Sequence, residues 1–557
     1  MQSKWWQNAI AYQIYPKSFL DTNGDGVGDL PGILRKLDYI ASLGVNVLWL
    51  SPVFQSPMVD NGYDISDYRR IDPLFGTNED MDRLIAEADK RGIKILMDLV
   101  VNHTSDRHPW FQEAIRDPNS KYADYYIFEE TDDGNPPNNL RAHFSTPAWT
   151  RVPGTNRWYF HAFAAEQPDL NWENPALRAE IADMVNWWLD KGLGGFRIDA
   201  ISNIKKSPLV RAHRLFEPDS PDGTAFIEEW VANQPGITDF LSELADRTFR
   251  PHDSMTVAEA DLPPDLLKAF VGPDGFFSMT FDFTYADIDR RGLPPFSKPV
   301  FTLDDLRTAL FESQLHTQDA GGWPAPFLEN HDQPRSLDKY IPAEDIGYAS
   351  ATMLATLLLT LRGTPFIYQG EELGMTNCPM ELGEYDDLAV PAQYEEGLQR
   401  GYSPKWMLDY FNRRSRDNSR TPFQWNNGPN AGFTTGSPWL KVNPNYAAIN
   451  EEQQAGDPHS ILGYYKRLIG LRRQSSISDL LTHGTFEPVE CGGSIIAYRR
   501  VLGSRSVLVL LNFGNSRAEF DLSGRERLVF TNLEGTARRG NALELLPYQA
   551  VLLAETE

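Results

Sequence analysis

The sequence predicts an α/β fold: a (β/α)8 TIM barrel, a small domain inserted after the third strand, and a C-terminal antiparallel β-sandwich. Three observations carry this. Short apolar runs rich in β-branched and aromatic residues recur without alternation, the pattern of strands covered on both faces. Helical patterns lie between them. After about Asp479 the texture changes to short strand-like runs parted by turn residues.

The expected barrel strands are Ala9 to Tyr15, Val45 to Leu50, Ile93 to Val101, Gly195 to Ile201, Met255 to Glu259, Phe277 to Phe283, Pro326 to Glu329 and Pro365 to Gln369. Two intervening helices are plain. Asp80 to Gly92 carries Met81, Leu84, Ile85 and Ala88 on one face, and Gly92 stops it. Asn174-Pro175 starts another as N-cap and first-turn proline, with Leu177, Ile181, Met184, Val185 and Trp188 at helical spacing. A plain barrel takes roughly 250 residues, so insertions are expected. The stretch after His103 is rich in Tyr, Trp, Asn, Pro and Asp and reads as a cover over the barrel mouth. The expected boundaries are 1–103 and 175–478 for the barrel, 104–174 for the inserted domain, and 479–557 for the terminal domain.

A chain of 557 residues exceeds one compact core. Its 52 basic and 77 acidic residues give a net charge of −25. No basic surplus exists to displace counterions, so nucleic acid and anionic membrane are excluded as partners. Cys378 and Cys491 are the only cysteines, too few for a disulfide framework or a thiolate metal site. Met1 to Trp6 lacks the apolar core of a signal peptide, and the longest apolar run, Ala351 to Leu361, is too short to cross a bilayer. These features lead us to expect a soluble cytoplasmic protein, a monomer or weak homo-oligomer, with no organic cofactor.

Three segments place a carboxylate at or just past the end of an apolar run: Gly195 to Asp199, Thr256 to Glu259 and Asn330 to Asp332. Carboxylates converging at one end of a parallel barrel can break a glycosidic bond: a pair supplies nucleophile and general acid/base, and a third grips the sugar. Arg197 lies two residues before Asp199, on the same side of a strand, and is expected to keep it ionised. Glu259 suits proton transfer. Asn102-His103 and Asn330-His331-Asp332 are polar clusters directly after apolar strands, where structure alone gives little reason for them. In Asp21 to Asp29, the oxygens of Asp21, Asn23, Asp25, Val27 and Asp29 fall at alternate positions and suit structural Ca²⁺. It is not an EF-hand, because Gly32 stands where the bidentate glutamate would be.

Together these segments resemble the α-amylase superfamily, glycoside hydrolase family 13. Its four motif regions appear as Asp98 to His103, Gly195 to Asp199, Glu259 after Thr256-Val257-Ala258, and Asn330 to Asp332. Within it, Tyr12 to Phe19, Asp60 to Asp64, Gln167 to Asn171 and Arg416 to Pro422 resemble the oligo-1,6-glucosidases, dextran glucosidases, exo-acting α-glucosidases and sucrose isomerases. The resemblance implies Asp199 as nucleophile, Glu259 as general acid/base, and Asp332 as the carboxylate holding the 2- and 3-hydroxyls. It implies Asp60, His103, His331 and Arg416 as binders of a terminal glucose, Tyr63 as its stacking platform, and Phe144 and Gln167 as pocket wall. The Asp21 to Asp29 loop matches the group's calcium site. Ala200, after the nucleophile, stands where Val accompanies α-1,6 cleavage in the group. The usual Gly-Glu at the acid is Ala258-Glu259 here. The implied activity is a retaining exo-α-glucosidase on short α-glucosides, α-1,4 favoured, with sucrose or α-1,6 substrates also in range. The alternative is a glucosyltransferase or sucrose isomerase using the same residues.

Overall fold

A computed structural model describes residues 4–555. Seven parallel strands form one curled sheet: Ala11–Ile14, Val47–Leu50, Lys94–Val100, Gly195–Asp199, Met255–Glu259, Met279–Phe281 and Phe366–Tyr368, the last lying beside the first. The eighth stave is irregular. Pro324 and Pro326 have no amide to give a ladder, so this stretch mainly accepts. Thr364 and Phe366 donate to Pro324 and Pro326, while Ala325 donates to Thr280 across the gap. That closes the barrel between Met279–Phe281 and Phe366–Tyr368. The run expected at Pro326 to Glu329 is therefore present as a wall of the barrel rather than as a regular strand.

Period-two alternation explains how the barrel presents polar groups at one end. Ala11, Val47, Trp49, Leu96, Met255, Val257, Met279, Phe281, Phe327 and Phe366 form one buried cluster filling the lumen. Two residues further along their strands, on the same inward side, stand Gln13, Ser51, Asp98 and Glu259; Arg197 and Asp199 alternate inward on the fourth strand. Gly195 starts that strand at φ +147°, and a Cβ there would meet the Met255 carbonyl at 1.8 Å. Only glycine lets the fourth and fifth strands approach so closely.

The outer helices pack as the sequence pattern requires. Asn78–Asp89 buries Met81, Leu84, Ile85 and Ala88, and a Thr77/Asp80 capping box sets its start. Pro175–Leu189 is capped by Asn174 accepting from the Ala176 amide. Residues 104–174 hold a helix, Pro109–Arg116, and a three-stranded antiparallel sheet of Phe128–Glu130, Trp149–Arg151 and Arg157–Phe160. This cover is built from two stretches of chain. Leu140–Arg141 pairs with Ala225–Phe226, and Val210, Phe216, Ala225, Ile227 and Val231 share an apolar core with Leu140, Trp149 and Phe160.

A five-stranded antiparallel sheet begins at Thr485 and ends at Glu555, with a second sheet of three strands beside it. Among the described residues no helix is long and apolar enough to cross a membrane.

Candidate active site

Strand register puts one arginine at the centre of the mouth. Arg197 pairs with Asp98 on one neighbouring strand and Val257 on the other. Its Nη1 donates to Asp98 Oδ1 at 2.8 Å and to Asp199 Oδ1 at 2.6 Å, and its Nη2 lies 2.5 Å from Glu259 Oε1. Asp98 is held further by Trp49 Nε1 at 3.2 Å and the Tyr63 hydroxyl at 3.0 Å. Ala200 turns into the left-handed region at φ 41°, which aims its amide at Glu259 Oε2, 3.0 Å away.

The sequence led us to expect that Arg197 would keep Asp199 ionised. The contact is there, but three carboxyls, buried Asp98 and Asp199 and the partly exposed Glu259, share one guanidinium. Burial pushes Asp199 up to about 7, with Arg197 opposing and Asp98 adding to it. Burial likewise pushes Glu259 up to about 7 and Asp98 up to about 6. Three acids against one base leave the cluster able to keep a proton near neutrality.

Asp332 has the opposite environment. Burial disfavours its charge, but His331, Arg420 and Arg416 outweigh that and hold it well below the usual carboxylate range. Arg420 Nη2 donates to Asp332 Oδ1 at 2.7 Å, and Arg416 Nη1 lies 3.5 Å from the same oxygen. His331 Nε2 stands 2.9 Å from Asp332 Oδ2. Gln13 Nε2 lies 2.8 Å from His331 Nδ1, which assigns the ring proton to Nε2, facing Asp332.

The remaining expected binders cluster beside this centre. Arg416 donates to Asp60 at 3.2 Å, and Gln167 Nε2 donates to the other Asp60 oxygen at 3.2 Å. His103 Nε2 lies 3.2 Å from Gln167 Nε2 and 3.1 Å from the Tyr63 carbonyl. Tyr63 is buried, with one ring face stacked on His331 at 5.3 Å. The Arg416 guanidinium sits over Phe144 at 5.1 Å. The structure thus brings Asp60, Tyr63, His103, Phe144, Gln167, Arg197, Asp199, Ala200, Glu259, His331, Asp332 and Arg416 into one connected assembly.

Three members were not singled out from sequence. Asp387 holds Arg416 with both oxygens, at 3.1 and 2.7 Å. Buried Lys206 reaches Asp169 at 2.7 Å and the Asn102 side chain at 2.6 Å, tying the inserted segment to two strand ends. Arg420 lies within the Arg416 to Pro422 segment, and only the fold shows that it grips Asp332. A cleft of about 840 Å³ opens one residue past Glu259, lined by Ala260, Asp261, Leu262, Asp282 and Arg291 among others. It adjoins the carboxylates without containing them.

The Asp21 to Asp29 loop lies apart from this assembly. Asp21 accepts the amides of Asn23, Gly24 and Gly26 at 2.9, 2.8 and 2.9 Å, and Asp29 caps the helix Leu30–Arg35 through the Gly32 amide at 2.6 Å. Gly26 has φ +93°, and a Cβ there would strike the Ser437 carbonyl at 1.8 Å. Among the described residues no three His, Cys, Asp or Glu side chains are spaced to hold a metal ion. A ligand set here would combine carboxylates with the Asn23 amide oxygen and the Val27 carbonyl. That all-oxygen chemistry fits Ca²⁺.

Residues 13–484 match the family model described as the α-amylase catalytic domain. The chain belongs to the α-amylase family. It is a glycoside hydrolase of family 13, and residues 495–552 match the α-amylase SusG C-terminal domain. An oligo-1,6-glucosidase from Heyndrickxia coagulans is 42% identical over 563 residues, with 99% of each chain covered. A trehalose-6-phosphate hydrolase from Bacillus subtilis is 40% identical over 571 residues, covering 100% of this chain and 99% of that protein. The crystal structure of isomaltulose synthase from Klebsiella sp. LX3 superimposes with a TM-score of 0.93 at 37% identity, covering 100% of both chains.

Proposed function

We propose that this α-amylase-family enzyme is a retaining, exo-acting α-glucosidase. It releases glucose from the non-reducing end of short α-glucosides, α-1,4 bonds favoured, with sucrose and α-1,6 bonds as further substrates. The observation that supports this is the sharing of Arg197 by Asp199 and Glu259 while Asp332 is held by separate cations. Two carboxyls on the two ends of one guanidinium suit the short separation of retaining enzymes, about 5–5.5 Å.

In this reading Asp199 attacks the anomeric carbon and forms a β-glucosyl ester. Glu259, holding the cluster's proton, gives it to the departing oxygen, then takes one from the water that resolves the ester. Asp332, kept ionised, accepts from the 2- and 3-hydroxyls. Asp60, His103, His331 and Arg416 hold the terminal glucose, with Tyr63 as its stacking platform and Phe144 and Gln167 as pocket wall. The Ala200 side chain, smaller than Val, leaves room beside the nucleophile, which supports α-1,4 use. Asp21, Asn23, Asp25, Val27 and Asp29 are the proposed ligands of a structural Ca²⁺.

Asp199→Asn keeps the shape and removes the nucleophile. With maltose as substrate, turnover is expected to fall on the order of 10³-fold or more, with an unchanged circular dichroism spectrum. Retention of a tenth of the parent rate would overturn the assignment. A second reading is favoured by the likeness to isomaltulose synthase: the same carboxylates, with fructose returning to the glucosyl intermediate. Sucrose distinguishes the two. Free glucose and fructose mark hydrolysis, and isomaltulose or trehalulose marks isomerisation.

A further inference from the structure

We propose that Glu329 is a positioning residue that clasps the loop carrying Asp332. The inference rests on the glucosidase reading of the preceding section, in which Asp332 grips the sugar.

Glu329 immediately precedes Asn330-His331-Asp332, and its side chain reaches back across the loop to the other end. Oε1 accepts from Arg335 Nη1 at 2.9 Å, and Oε2 accepts the Ser336 amide at 2.6 Å. One buried carboxylate therefore closes both ends of the Asn330 to Pro334 stretch. Glu329 and Arg335 are 2% and 0% exposed, so neither contact is diluted by water.

Arg335 anchors the clasp to the barrel. Its Nη1 also donates to the Gln369 carbonyl at 2.8 Å, just past the seventh strand, and its Nη2 donates to the Ser419 carbonyl at 3.2 Å. Ser419 adjoins Arg420, whose Nη2 grips Asp332 and whose Nε donates to the His331 carbonyl at 2.8 Å. The loop is thus held at its ends by Glu329 and at its tip by Arg420, and Arg335 joins the two holds. Glu371 and Glu372 lie behind it. Tyr465 donates to Glu371, and Tyr12 and Tyr39 donate to Glu372. Burial and the nearby Glu329 raise Glu371 well above the usual range.

One substitution removes a single arm of this clasp. Ser336 is the first residue of the helix Ser336–Tyr340, and Arg335 before it has φ −57° and ψ 136°. Proline suits that first position, and the residue before it already has the backbone proline demands. Ser336→Pro therefore deletes the amide that Glu329 accepts while the backbone path is kept. The second variant, Glu329→Gln, keeps the shape and removes the charge.

For each variant, circular dichroism, maltose kinetics and inhibition by free glucose are measured beside Asp332→Asn. We expect native spectra, a fall of about tenfold or more in kcat/KM, a matching rise in the glucose inhibition constant, and an unmoved pH profile, since Asp199 and Glu259 are untouched. A merely structural Glu329 would lower the unfolding temperature and leave both constants within twofold of the parent, which overturns the proposal. If instead Asp332→Asn itself leaves glucose inhibition unchanged, the reading of Asp332 fails, and with it the basis of the clasp.

Discussion

Replacing Arg197 by lysine tests the centre of the site most directly. The charge survives, but the planar fork does not. Arg197 spreads three contacts over its two terminal nitrogens: Asp98 at 2.8 Å and Asp199 at 2.6 Å on one, Glu259 at 2.5 Å on the other. A single ammonium on a shorter stem cannot keep all three, so at least one charged hydrogen bond is lost. Such a bond contributes about 1.5–3 kcal/mol. Expressed in the transition state, that is about a 10- to 150-fold fall in kcat/KM. The pH profile should move as well. Arg197 holds down both Asp199 and Glu259 against burial, so weakening it raises both and carries the profile toward alkaline pH. The assay is kcat/KM on 4-nitrophenyl α-glucoside from pH 5 to 9. A variant within threefold of the parent, with an unmoved profile, would show that the shared guanidinium does not organise the pair.

Further expectations concern the outer parts of the site and the fold. Asp387→Asn leaves Arg416 with a donor where it had a carboxylate oxygen, so KM and the glucose inhibition constant should both rise about tenfold (~1.4 kcal/mol), and unchanged constants would remove Asp387 from the site. Stability should decline as pH rises from about 4 to about 7, because Asp98, Asp199 and Glu259 bind protons more tightly folded, and the stability this gives is complete below their ordinary values and lost through their raised ones. Calorimetry showing a midpoint that climbs steadily from pH 5 to 8 would contradict this. Chelation with EDTA should lower the unfolding temperature and Ca²⁺ should restore it, both effects being abolished in Asp21→Ala; a parent insensitive to EDTA and to added Ca²⁺ would argue against a calcium loop.

Much of the barrel was legible because the strands are short, largely apolar runs, and Gln13, Ser51, Asp98 and Glu259 each follow an inward apolar residue by two. Asn174-Pro175 marked a helix start for a local reason, and the structure uses it as such. The sharing of Arg197 was hidden because it depends on register: only when Arg197 stands beside Asp98 and Val257 does one guanidinium reach three acids. Asp387 was hidden for another reason. It lies in an irregular stretch beside Asp386, with no periodicity to mark it, and its partner Arg416 is distant in sequence. Lys206 follows Lys205 and nothing in the sequence separates the two, yet its charge is spent inside, on Asp169. The prolines at 324 and 326 were visible, but that they turn a strand into an accepting wall follows from the neighbours' amides.

The two-part cover over the mouth bears on the order in which the enzyme is assembled. Leu140–Arg141 waits for Ala225–Phe226, and the strand bearing Asp199 is made between them. As the chain emerges from the ribosome, residues 104–174 have no finished partner until the Asp199 strand and the loop beyond it have followed. The roof is thus complete before the barrel strands Met255–Glu259, Met279–Phe281 and Phe366–Tyr368 are made. A graft of residues 104–174 onto another barrel would leave Leu140, Trp149 and Phe160 without Val210, Phe216 and Ile227. Exchange of covers between relatives should therefore move both stretches as a unit.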